Sequence, residues 1–200
     1  MTSMKEPYYT LYNLAEPFLQ TRKNDIHTQI SYSYAKIICN KENGDPSIVY
    51  PGIILHDTGW SKIPEYLHTK AYGPGNRDRK LNRVHEIEGA KIAESLLQKI
   101  DYPKQLINEI VTIIEGHDSR QTSLSSNDAI VKDADKLWRY SRTGMDIGME
   151  KFSLSPSSYI SYIESHIEKW FLTDSGRNLA YQELVNRKED WSLIKIKERQ

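Results

Sequence analysis

Two hundred residues are enough for one domain with its own core, or for a domain carrying a terminal extension. Lys plus Arg and Asp plus Glu both number 27, so the formal charge is zero, and bulk charge gives no pull toward nucleic acid or an anionic membrane. One cysteine, Cys39, rules out an intramolecular disulfide, and the preceding Ile37 and Ile38 mark it as a buried thiol.

Residues 8–20 repeat apolar side chains at three- and four-residue spacing (Tyr8, Leu11, Ala15, Phe18), the pattern of an amphipathic helix. Asn24 or Asp25 opens a second helix running toward Asn43-Gly44, with His27 in its first turn. Asp45-Pro46 starts a third, which carries Ile53, Ile54 and Leu55 and stops at the Gly59 turn. Residues 61–82 hold two prolines and two glycines without periodicity and read as a long loop, placed to act as a lid. Helical spacing returns over 83–99, 103–116 and 129–142, and the tail adds helices over about 156–172 and 176–196. No strand series or internal repeat is present, so the expected class is all-α. The start of the chain has no apolar signal core and no stretch is long and uncharged enough to span a bilayer, so a cytoplasmic location is expected.

Six residues offer metal-type ligands from five segments: His27, His56 with Asp57, His85, His117 and Asp135. Each falls near an expected helix end or on an inward stripe, and converging helix ends can assemble imidazoles and carboxylates in a bundle core. One ion takes about four such ligands, whereas six with a shared carboxylate can hold two, and Asp57 beside His56 is the natural bridge. Nitrogen and oxygen donors without thiolate favour Fe or Mn, with Zn, Co or Ni admissible, over Ca. An imidazole at 85 or 117 would also serve a polar gap in a core. Asp118 can orient an imidazole or face water, Asp133 and Lys136 read as solvated or supporting, and His68 and His166 as loop and surface residues. The aromatic residues Trp138, Tyr140, Tyr159, Tyr162 and Trp170 read as core. Lys62, Arg77, Arg79, Lys80 and Arg83 form a basic group that would clamp phosphate oxygens.

His27, then His56-Asp57, then Asp135 within Lys132-Asp133-Ala134-Asp135-Lys136-Leu137, resembles the H…HD…D signature of the HD-domain superfamily of metal-dependent phosphohydrolases. His85 and His117 resemble the extra pair of the subgroup that holds two metals. No Gly-Tyr-Pro follows His117, and Trp60 stands where HD-GYP phosphodiesterases have lysine after the glycine, which sets the chain apart from them. The resemblance implies a single HD domain over residues 1–200, with a core near 24–142 and a C-terminal helical extension over 143–200. It also implies six metal ligands (His27, His56, Asp57, His85, His117, Asp135) and hydrolysis of a phosphoester or phosphoanhydride of a small, nucleotide-like substrate by metal-activated water. Asp57, Lys62 and Arg83 would act at the reacting phosphate, and a homodimer is a candidate assembly. Two rivals share this ligand set: a diiron oxygenase of the myo-inositol oxygenase type, and a non-catalytic binding module.

Overall fold

The computed structural model describes residues 4–71 and 78–197, with side chains through residue 192. Among the described residues there are eleven α-helices and no strand. They are α1 (Tyr8–Leu19), α2 (Asn24–Lys41), α3 (Pro46–Leu55), α4 (Glu65–Ala71), α5 (Arg79–Lys99), α6 (Lys104–Ile114), α7 (Ser126–Leu137), α8 (Arg142–Phe152), α9 (Pro156–Glu164), α10 (Ile167–Trp170) and α11 (Asp174–Lys197). The all-α class is as the sequence implies. No helix among the described residues is long and apolar enough to cross a membrane.

Helix starts follow capping chemistry. Asp45 accepts from the Ser47 N–H ahead of Pro46, Asp78 from Lys80 and Leu81, Ser125 from Asp128, and Ser155 from Ser158. The apolar α3 is the central strut, packed against α2, α6 and α7, with Ile53, Ile54 and Leu55 fully buried. Burying each such side chain is worth about 1.5–3 kcal/mol, so this helix is fixed by its core and not by local propensity. Cys39 is buried as expected, and burial pushes its thiol up to about 11.

Several expectations need correction. The stretch expected as a structureless loop begins with a 3-10 turn, Thr58–Lys62, and then the helix α4, whose Ala71 packs with Trp60 and Ile63. Residues 72–77, including Arg77, lie outside the described residues. α3 ends at Leu55 and not at Gly59. Gly59 serves a close approach instead: a Cβ there would lie 1.9 Å from the His85 carbonyl oxygen, so only glycine lets the 3-10 turn press on α5. Helix α8 has no counterpart among the expected helices, because Gly144 and Gly148 dilute its helical pattern. Gly148 is used for contact, since a Cβ would meet the Tyr159 ring at 2.5 Å. The helix expected over 156–172 breaks at Ser165-His166 into α9 and α10.

Candidate metal centre

Two histidines stand where helices stop. His56 follows α3, and its Nδ1 lies 2.8 Å from the Ile53 carbonyl; His117 follows α6, and its Nδ1 lies 2.8 Å from the Ile114 carbonyl. Each ring satisfies a carbonyl that the helix end would leave orphaned. In the neutral ring that bond places the proton on Nδ1, so the Nε2 lone pair faces inward. His27, on the first turn of α2, and His85, on α5, have Nδ1 atoms without a hydrogen-bond partner among the described residues. Aromatic packing orients these rings: His27 sits edge-on to Trp138 at 4.7 Å, and His85 stacks on Trp60 at 4.2 Å with 15° between planes.

The inward atoms form two groups sharing one carboxylate. In the first, His27 Nε2 lies 2.8 Å from His56 Nε2, 3.4 Å from Asp135 Oδ1 and 3.5 Å from Asp57 Oδ2. In the second, His85 Nε2 lies 3.3 Å from His117 Nε2, and Asp57 Oδ1 lies 3.6 Å from His117 Nε2 and 3.9 Å from His85 Nε2. Asp118 also falls within ligand reach of His85 and His117. Donors bonded to one ion at about 2.1 Å stand about 3.0–3.4 Å apart in octahedral or tetrahedral geometry, close to these separations. Two buried lone-pair nitrogens 2.8 Å apart repel unless a proton or cation lies between them. The donor set, imidazole and carboxylate without sulfur, fits divalent first-row metals.

Asp57 is held well below the usual carboxylate range: burial pushes it up, but His56, the bond to His117 and the Arg22 guanidinium outweigh that. Asp135 is lowered likewise, with Lys136 and Arg139 overcoming its burial. Burial pushes His27 down to about 4, and burial with the neighbouring His117 pushes His85 to about 3. His117 goes the other way, up to about 9, because its bond to Asp57 and the nearby Asp118 outweigh burial. The carboxylates are therefore ionised and two rings neutral at neutral pH, the forms a metal accepts, and His117 must release a proton on binding.

The family model described as "HD domain" matches residues 24–140, more than half of the chain. The chain belongs to the HD-domain family. The HD chain also resembles a crystal structure titled as a predicted HD superfamily hydrolase from an uncultured Thermotogales bacterium. The TM-score is 0.64 at 20% identity, covering 94% of this chain and 91% of that one, a likeness of fold. No curated protein matches it.

All six expected ligand residues of this HD domain converge on the two groups. The expected cations do not: Lys62 is exposed and outside the cleft, while Arg83 binds Glu86 at 3.0 Å and Glu115 at 2.6 Å. The cleft over the first group, about 860 Å³ with its mouth included, takes its positive charge from Arg22, Lys136, Arg139 and Lys151. Lys136, expected to be solvated or supporting, is largely buried and bridges Asp135 at 2.5 Å and Asp118 at 2.7 Å. Asp133 is fully buried rather than solvated, accepting from the Leu172 and Thr173 N–H groups just before α11. His68 is buried against Trp60 instead of lying on the surface. Tyr140 and Tyr159 are buried in the core as expected, Tyr159 also lining the cleft, whereas Trp138, Tyr162 and Trp170 are only partly buried and form its wall. A signal for two of these existed: Asp135, Trp138 and Arg139 are spaced i, i+3, i+4, one helical face. Arg22 had none, because it reaches Asp57 through consecutive left-handed residues, Arg22 and Lys23 (φ 59° and 58°), that no glycine announces.

Proposed function

We propose that this HD domain is a metal-dependent phosphohydrolase that cleaves a phosphoester or phosphoanhydride of a small nucleotide-like molecule. The observation that carries the reading is Asp57: its Oδ2 faces His27 and its Oδ1 faces His56, His85 and His117, so one carboxylate touches both imidazole groups while cations line the adjoining cleft. His27, His56, Asp57 and Asp135 would hold one ion, and Asp57, His85 and His117 the other, with Fe or Mn the best match to the donors. Bound there, the ions supply a low-pKa water and polarise the phosphoryl oxygen.

The chain's own residues do the rest. Trp60 donates its indole N–H to Asp57 Oδ1 at 3.0 Å, fixing the carboxylate. Lys136 holds Asp135 and Asp118 in place. Arg139, flanked by the Trp138 and Trp170 rings at 6.0 and 5.8 Å, and Arg22, 3.8 Å over Trp60, present guanidinium groups to phosphate oxygens. The aromatic wall supported by α8 would take the organic part of the substrate. The cationic cleft favours a phosphorylated substrate over the uncharged polyol of an oxygenase.

Elemental analysis of protein purified without chelator, followed by hydrolysis assays on aryl phosphates and nucleotides with Mn²⁺ or Fe²⁺, tests the proposal. About two ions per chain and metal-dependent phosphate release are expected. Metal-free protein with no hydrolysis, or oxygen uptake by the reduced iron form, would overturn it.

A further inference from the structure

A second opening reaches the metal centre from the other side. This groove, about 1660 Å³ with its mouth included, is bordered by His117 and Asp118 and shares Asp118, Lys136 and Trp170 with the aromatic cleft. The two openings therefore meet at the metal-ligand cluster, one from the His27 side and one from the His117 side.

Their charge differs. The aromatic cleft sets four lysines and arginines against Asp57, Asp118 and Asp135, a surplus of one before any ion binds. Among the described residues the groove sets Arg79, Arg120, Lys132, Lys136 and Lys169 against Asp118 on its wall and against Asp128 and Asp135, which pair with its cations, a surplus of two. Three of its cations are held in place: Lys132 donates to the Gly116 and Arg120 carbonyls, Arg120 pairs with Asp128 at 3.1 Å, and Lys136 pairs with Asp118. These build a fixed field. Arg120 Nε is buried and has no hydrogen-bond partner among the described residues, so a donor is left over. Arg79 and Lys169 are exposed and have no ion-pair partner among the described residues, so they are able to close on an anion. Among the described residues, Trp170, shared with the cleft, is the only large aromatic side chain lining the groove.

We infer that the groove is a polyphosphate-binding arm: the substrate is a nucleotide-like phosphoanhydride whose ring lies in the aromatic cleft and whose further phosphates lie along Arg79, Arg120 and Lys169. The inference rests on the hydrolase reading for its purpose, but its chemistry is tested separately. Several fixed charges acting together favour a chain of phosphates over a single one, because each added phosphate meets another cation.

The test is calorimetric binding of inorganic tripolyphosphate to chelator-treated protein, comparing wild type with the Arg79→Glu/Lys169→Glu double variant. Wild type should bind tripolyphosphate at least tenfold more tightly than orthophosphate, with affinity falling as salt rises. The double variant should lose at least tenfold, and charge reversal at Lys91, exposed on α5 outside the groove, should change it less than twofold. The milder Arg79→Gln/Lys169→Gln pair provides the comparison should the reversal impair folding. Absent binding in wild type, equal binding by wild type and variants, equal loss in Lys91→Glu, or no preference over orthophosphate overturns the inference. Hydrolysis of an aryl monophosphate by Mn²⁺-loaded wild type is measured alongside. Intact hydrolysis with unchanged tripolyphosphate binding in the variant refutes the arm and leaves the hydrolase standing. Groove-dependent binding without hydrolysis of any phosphate does the reverse.

Discussion

Glu86 follows His85 on α5 and is fully buried, and it touches no inward ligand atom. Its Oε1 accepts the Asp118 and Ser119 N–H groups, each at 2.8 Å, and its Oε2 accepts from Arg83 at 3.0 Å. It thus ties the turn that carries His117 and Asp118 to the helix that carries His85. Glu86→Ala leaves two N–H groups without their acceptor. At about 1.5–3 kcal/mol for each hydrogen bond to a charged group the ceiling is about 3–6 kcal/mol, and these groups are only partly buried, so about 2–4 kcal/mol is expected. Arg83 keeps Glu115 and adds little. In a chain of this length that loss lowers Tm by about 4–16 °C. Glu86→Gln keeps an oxygen for both donors without the charge and should cost about half as much. Thermal melts of the metal-free protein measure this cost, and competition with a chromophoric chelator reports the ions separately. The His85–His117 ion should weaken at least tenfold while the His27–His56 ion holds within about threefold. A change in stability under about 0.5 kcal/mol with both ions at wild-type affinity would refute the tether.

Asp57→Asn removes the shared anion, so both ions should be lost together and metal-dependent turnover should fall by about 10³-fold or more, read by elemental analysis and initial rates. Arg139→Ala should raise KM for a phosphorylated substrate by about 10–100-fold, the worth of one charge-assisted bond, with a much smaller change in kcat; a pure kcat loss would contradict a binding role. Gly59→Ala forces a methyl into the His85 carbonyl and should cost about 1–3 kcal/mol or more by chemical denaturation, and a neutral result would mean the 3-10 turn slides freely on α5. In metal-free protein, His117 is raised from 6.5 to about 9, so its contribution is full below pH 6.5 and is lost as pH climbs through about 9. His27 and His85 are lowered to about 4 and 3, so the unfolded chain takes up their protons first and stability falls as pH drops below 6.5. Denaturation midpoints should therefore peak near pH 6.5, and His117→Asn should flatten the alkaline side.

Helices with a clear apolar stripe, such as α5 and α6, could be read from the chain because local propensity and burial agree there. The gathering of the six expected ligand residues was legible for a related reason: His56, Asp57 and His117 follow the ends of the apolar runs of α3 and α6, and His27 and Asp135 lie on inward faces. What was lost depended on contacts distant in sequence. α4 is too short for periodicity to show. α8 carries two glycines that lower helical propensity but are needed against Trp138 and Tyr159. Lys62 and Arg83 stand near the expected ligands in sequence, yet Arg83 is captured by Glu86 and Glu115, and the cations of the cleft come from Arg22 and from the segment after Asp135. For Asp133 the sequence leaves solvated and supporting roles open because its partners, Leu172 and Thr173, lie some forty residues further on.

The carbonyl bonds made by His56 and His117 give these residues one employment owed to the helix, beside the one the proposed function gives them toward an ion. Alanine at either place would fray a helix end as well as delete a proposed ligand, so on that reading lost activity and lost fold would arrive together and be confounded. A chain that abandoned its chemistry would still be under pressure to keep both rings as helix stops, ready for an ion to be taken up again without rebuilding the scaffold.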